Sequence, residues 1–153
     1  MAQEVILSLE NEEQTAQCAT ALSAHLRAGD VVLLDGQLAA GKTFFSRALV
    51  RALGSDETVT SPTYTIANIY ETPKGQVLHV DAYRLKGATE FYHLGLEDEL
   101  EHGIALIEWG SRLGDYFDAP LSIQIGFGET ETARTLTITA GAPRWAPVLE
   151  ALA

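Results

Sequence analysis

One cysteine, Cys18, stands in a chain of 153 residues, so no internal disulfide can form. That scarcity reads as a buried thiol on a helix in a reducing, cytoplasmic setting, not as a catalytic nucleophile. Basic residues are also few: 10 Lys and Arg against 21 Asp and Glu, for a formal net charge of −11. A protein that grips a phosphate backbone unaided needs a basic face. Here the overall field repels polyanions, which excludes tight direct binding of nucleic acid as the main activity. Long apolar runs are missing too. No segment approaches the ~20 apolar residues of a membrane span, and the acidic start MAQEVILSLENEE argues against a signal peptide. Repeats, linkers and low-complexity tracts are absent. What remains is 46% hydrophobic and 20% charged, the balance of a soluble globular protein. The length suits one domain, residues 1–153, that buries roughly 70% of its unfolded surface.

Apolar periodicity predicts the elements. EVILSL (4–9) reads as a strand, then Asn11 offers an N-cap with Gln14 as capping-box partner. Cys18, Leu22 and Leu26 have helical spacing, predicting a helix that stops near Ala28-Gly29-Asp30. VVLL (31–34) is the continuous apolar run of a buried parallel strand. TFFSRALVRAL predicts a helix closed by Gly54. TIANIYE and VLHVDAYRL read as strands joined by TPKG. One or two brief helices are expected over 87–103, a strand in IALIEW, and a helix or turn over 111–117. LSIQIGF and TLTITA form a second predicted hairpin. A final short helix is expected in PRWAPVLEALA, its length limited by Pro147. The order β-α-β-α-ββ-α-β-ββ predicts an α/β sandwich, with a mixed central sheet flanked by helices.

Between VVLL and the second helix stands GQLAAGKT: Gly36, Gln37, Leu38, Ala39, Ala40, Gly41, Lys42 and Thr43. It fits G-x-x-x-x-G-K-[ST], the P-loop. A chain wrapping a diphosphate must turn successive N–H groups inward, and terminal glycines permit the dihedrals and the close approach. The next helix directs free N–H groups and its positive dipole end at the same phosphates. Lys42 would place a charge on the β- and γ-phosphates, and Thr43 a hydroxyl on Mg²⁺. The alternative, a glycine-rich turn with an exposed lysine, does not account for the strand before and the helix after.

Such a loop needs an acid at the end of a neighbouring strand. VLHVD ends in Asp81 and IALIE in Glu108, each at the carboxyl edge of the sheet, where ligands bind in open α/β folds. One can hold the metal; the other can orient or deprotonate water. Residue types alone leave the assignment open, against the plainer reading of two solvated strand-end acids. His79 reads as a packed or exposed strand histidine, not a ligand. Glu97, Asp98, Glu99 and Glu101 read as a solvated helix face. SPTYT (61–65) falls where phosphate-loop switch proteins carry a γ-phosphate sensor, although an ordinary Ser/Thr turn would look the same.

GQLAAGKT, SPTYT, VDAYRL and LIEW, in that order, resemble the TsaE (YjeE) family of small bacterial ATPases of the tRNA threonylcarbamoyladenosine pathway. The resemblance runs from about Leu33 to Trp109, about half the chain. It implies a P-loop NTPase-like α/β domain that binds ATP or ADP with Mg²⁺ and hydrolyses ATP. It also implies a partner, the TsaB–TsaD complex, which attaches threonylcarbamoyl to N6 of adenosine 37; tRNA would be met only indirectly. By position, Thr43 and Glu108 would be the metal-side residues and Asp81 the second acid. Ser61-Pro62-Thr63 would be the switch, with Thr63 among the catalytic residues beside Lys42. Trp109 would lie beside the nucleotide and Arg134 on its other side. Where the family reads G-D-L-G-A-G-K-T, this chain has Gln37 for Asp and Ala39 for Gly. Ala39 is acceptable with a negative φ.

Two other functions fit the P-loop. A small-molecule kinase would need an arginine-rich lid, whereas Arg84, Arg112, Arg134 and Arg144 are scattered. A nucleotide-dependent binding module without significant turnover shares nearly every residue with an ATPase.

Overall fold

The computed structural model describes residues 3–37, 39–55, 67–113 and 115–153. Seven strands form one mixed sheet: β1 (Gln3–Leu9), β2 (Val31–Gly36), β3 (Ala67–Thr72), β4 (Gly75–Asp81), β5 (Ile104–Glu108), β6 (Leu121–Phe127) and β7 (Arg134–Ala140). Their order is β1-β7-β6-β2-β5-β4-β3. The inner four are parallel, β6 with β2, β2 with β5 and β5 with β4. Antiparallel hairpins complete both edges. Gly36, Asp81, Glu108 and Phe127 therefore end at one edge of the sheet. The predicted α/β sandwich with a mixed central sheet is the observed fold.

Helices α1 (Glu12–Ser23), α2 (Lys42–Ala52) and α5 (Ala146–Leu152) cover one face. Phe45, Leu49, Leu22 and Trp145 pack there against Val32, Leu34, Leu106 and Ile123. The short α3 (Ala88–Tyr92) and α4 (Glu97–His102), with a 3-10 turn at Gly110–Leu113, cover the β4–β5–β2 part of the other face through Phe91, Leu100 and Leu113, joined by Leu85 from the chain before α3. Val31–Leu34 and Ile104–Glu108 are buried throughout, as parallel strands clad on both faces must be.

The expected N-cap forms at Asn11, while the Gln14 side chain reaches one residue further back than a capping box would take it. Asn11 Oδ1 accepts from Gln14 N at 2.9 Å, and Gln14 Oε1 accepts from Glu10 N at 2.8 Å. Three boundaries differ from expectation. α1 ends at Ser23, because Lys74 Nζ captures the Ser23 and Leu26 carbonyls at 2.7 and 3.3 Å. Leu26 keeps its helical spacing only because it is buried off the helix. The strand through VLHVD stops at Asp81, whose Oδ1 accepts from Tyr83 N and turns the chain. Pro147 sits in the first turn of α5, where its missing N–H costs nothing, so it helps to begin that helix and does not shorten it.

Candidate functional site

β2 delivers the chain to the loop at Gly36, where φ is +154° and an added Cβ would lie 2.5 Å from the Ile125 carbonyl oxygen, so only glycine fits. Gly41 takes φ +113° as the N-cap of α2, turning the chain so that the helix begins at Lys42. Ala39 departs from expectation. Its φ is +67°, in the left-handed region, where a methyl side chain is strained. Leu38 lies outside the described residues, as do Ser61, Pro62, Thr63 and Thr65.

Lys42 folds back across its own loop. Nζ donates to the Gly36 carbonyl at 2.8 Å and to that of Gln37 at 3.0 Å, and sits 4.1 Å from the centre of the Trp109 ring. The side chain is buried, and burial lowers the ammonium below the ordinary lysine pKa against the opposing pull of Glu108, Asp35 and Asp81. The ammonium is thus held by two loop carbonyls and the face of an indole.

Asp81 and Glu108 are direct neighbours across the parallel β4–β5 pair, at its carboxyl end. Glu108 is buried, and its Oε1 accepts from Thr43 Oγ1 at 3.1 Å. The first hydroxyl of α2 and the acid of β5 thus meet over the loop. Asp81 is half-buried, with Oδ1 occupied by Tyr83 N. Among the described residues no three His, Cys, Asp or Glu side chains converge on one point. One carboxylate and one hydroxyl suit an Mg²⁺ that takes its remaining ligands from phosphate and water, so the residues present fit the implied ion.

Trp109 follows Glu108 with φ +59°, its N–H bonded to the Leu34 carbonyl at 2.8 Å and its ring 5.0 Å from that of Tyr83. Arg134 buttresses the loop. Nε donates to the Ala40 carbonyl at 2.7 Å, and the guanidinium lies 5.1 Å from the Phe127 ring. Beside it a cleft of about 880 Å³ opens between the β1–α1 junction and the β6–β7 hairpin, lined by Leu9, Asn11, Phe127, Thr130 and Arg134 among others. Lys42, Thr43, Asp81, Glu108 and Trp109 are therefore gathered at one sheet edge, with Arg134 at the loop's opposite flank.

Sequence reasoning missed two residues. Asp35 accepts from Ser111 N and Oγ at 3.1 and 2.8 Å, tying the end of β2 to the 3-10 turn. His79 is fully buried, with Nε2 2.5 Å from Glu108 Oε2. Its spacing of two from Asp81 put it on the same strand face, which was the available signal.

A family model described as "Threonylcarbamoyl adenosine biosynthesis protein TsaE" matches residues 9–136. The chain belongs to the TsaE family. Among TsaE relatives described as "tRNA threonylcarbamoyladenosine biosynthesis protein TsaE", that of Rickettsia bellii is 40% identical over 114 residues, 74% of this chain and 79% of the relative. That of Streptomyces coelicolor is 38% identical over 132 residues, 82% and 89% of the two chains. A crystal structure of Bacillus subtilis YdiB aligns with a TM-score of 0.82 and 29% identity, covering 99% of this chain and 95% of that one. The TsaE match spans α1 to β7, and so includes every site residue described above.

Proposed function

We propose that this TsaE-family chain is a cytoplasmic ATP-binding and ATP-hydrolysing accessory protein of tRNA N6-threonylcarbamoyladenosine modification, acting through a TsaB–TsaD complex. One observation carries the nucleotide part: Lys42, Thr43 and Glu108 converge at the mouth of a glycine loop, between a strand end and a helix N-terminus. In this reading the loop amides and Lys42 hold the β- and γ-phosphates. Thr43 and Glu108 hold Mg²⁺, which would neutralise charge on the transferring phosphoryl group. Asp81, beside Glu108 and nearer solvent, orients the attacking water. Adenosine extends toward the Arg134 cleft, whose volume lies within the range of small-ligand sites. Arg134 itself bonds the loop carbonyl, so it braces the site and does not serve a kinase-type lid.

Calorimetry with ADP tests the reading. Lys42→Ala should abolish tight binding, and Thr43→Ala or Glu108→Gln should raise the Mg²⁺ concentration needed while keeping part of the Mg²⁺-free affinity. Asp81→Asn should lower kcat with little change in KM. Unchanged affinity in Lys42→Ala would sink the phosphate-loop reading.

A further inference from the structure

His79 is a polar side chain with no access to solvent, between Leu78 and Val80 in a buried strand. In the β4–β5 register it stands opposite Leu106, two residues before the Asp81–Glu108 pair, so its ring lies on the α2 side of the sheet. Nε2 approaches Glu108 Oε2 at 2.5 Å, while Thr43 Oγ1 sits nearer Oε1, 3.1 against 3.4 Å. Thr43 Oγ1 thus reaches both oxygens of the carboxylate, leaning toward Oε1, whereas His79 engages Oε2 alone. Nδ1 is buried and has no hydrogen-bond partner among the described residues. An ionised carboxylate can only accept, so against the Glu108 carboxylate Nε2–H is the donor and Oε2 the acceptor.

We propose that His79 is a positioning residue for the cation end of the site. By holding Oε2 it fixes the Glu108 carboxylate so that Oε1 alone, beside the Thr43 hydroxyl, is offered to Mg²⁺. A free carboxylate in this place would swing and chelate through both oxygens. Mg²⁺ demands near-octahedral geometry, so one fixed oxygen serves it better than a mobile pair. Partners of this kind that orient a metal ligand change metal affinity by about 10–100-fold when removed. The inference rests on the Mg²⁺-nucleotide reading above.

The test measures ADP binding against Mg²⁺ concentration for the whole chain and three variants. Glutamine places its amide nitrogen near the position of Nε2; asparagine reaches only to that of Nδ1; leucine fills the space with no donor. His79→Gln should keep the Mg²⁺ dependence of the wild type. His79→Asn and His79→Leu should need about tenfold more Mg²⁺ or higher, with Mg²⁺-free ADP affinity unchanged in all three. Far-UV circular dichroism identifies folded variants, and the Gln–Asn comparison decides if His79→Leu does not fold. A histidine that merely packs would give one Mg²⁺ dependence in every folded variant, whatever the loss of thermal stability. That result, or His79→Gln no better than His79→Asn, overturns the inference and leaves the nucleotide reading intact. Wild-type protein that binds no ADP at all overturns both.

Discussion

Ala39 and Lys42 carry the loop's two local costs. At φ +67° an alanine suffers roughly 1–2 kcal/mol of left-handed strain, whereas glycine there loses about 0.5–1 kcal/mol more backbone entropy on folding. Strain is the larger effect, so Ala39→Gly should stabilise the protein by about 0.5–1 kcal/mol. A melting point raised by ~2 °C would show it, and ADP should bind at least as tightly once the methyl is gone. A lower melting point would mean that the left-handed conformation is not held in solution. Lys42 makes a pH prediction. Burial lowers its pKa in the free protein, and a bound phosphate would raise it again. ADP binding should therefore take up a proton as pH enters the range where free Lys42 begins to deprotonate, and affinity should fall as pH rises through that range. Calorimetry in two buffers of different ionisation enthalpy reads the uptake directly. No uptake at alkaline pH would mean that phosphate does not reach the ammonium.

At the scale of elements, what decided the site is register, which the sequence carries only in part. The apolar runs VVLL and IALIE announced two-face burial, and the glycine loop announced its own geometry. Both follow from local chemistry. That Glu108 pairs with Asp81, and that Oε2 meets His79, depends on how β4 and β5 slide, and no local pattern states this. The end of α1 was illegible for a similar reason, since Lys74 arrives from the β3–β4 turn to cap it. The turn after β5 yields a prediction. Trp109 is locked at φ +59° between Lys42 and Tyr83, while Trp145 is buried with Nε1 bonded to the Ala119 carbonyl. Nucleotide that draws Lys42 off the indole should change Trp109 fluorescence alone. Trp145→Phe should keep the response to ADP and Trp109→Phe should lose it. The reverse result would put the nucleotide elsewhere.

At the scale of the molecule, binding and turnover come apart. The parts that the proposed function assigns to nucleotide binding lie together: a loop turned by Gly36 and Gly41, a buried lysine, and a hydroxyl–carboxylate pair. Besides Lys42, the cation that the described contacts bring onto the loop is Arg134, and it is spent on the Ala40 carbonyl. Arg84, three residues past Asp81 in the chain, is exposed and is a candidate in cis. An arginine supplied at such a position, in cis or by a partner, is worth about 10³–10⁵ in rate. A net charge of −11 also leaves the chain poorly suited to hold tRNA by itself, which is why the proposed function runs through a protein partner. The isolated chain should thus bind ADP and ATP readily and hydrolyse ATP slowly, and a TsaB–TsaD complex should raise turnover by about tenfold or more by completing the site and excluding water. Arg84→Ala should blunt that rise while leaving ADP affinity in place, and Thr63→Ala should blunt it more than it lowers ATP binding. Phosphate release at saturating ATP and Mg²⁺, with and without the complex, decides the matter. Equal rates in the two conditions would leave a partner-independent ATPase or a kinase as the better account of the same loop.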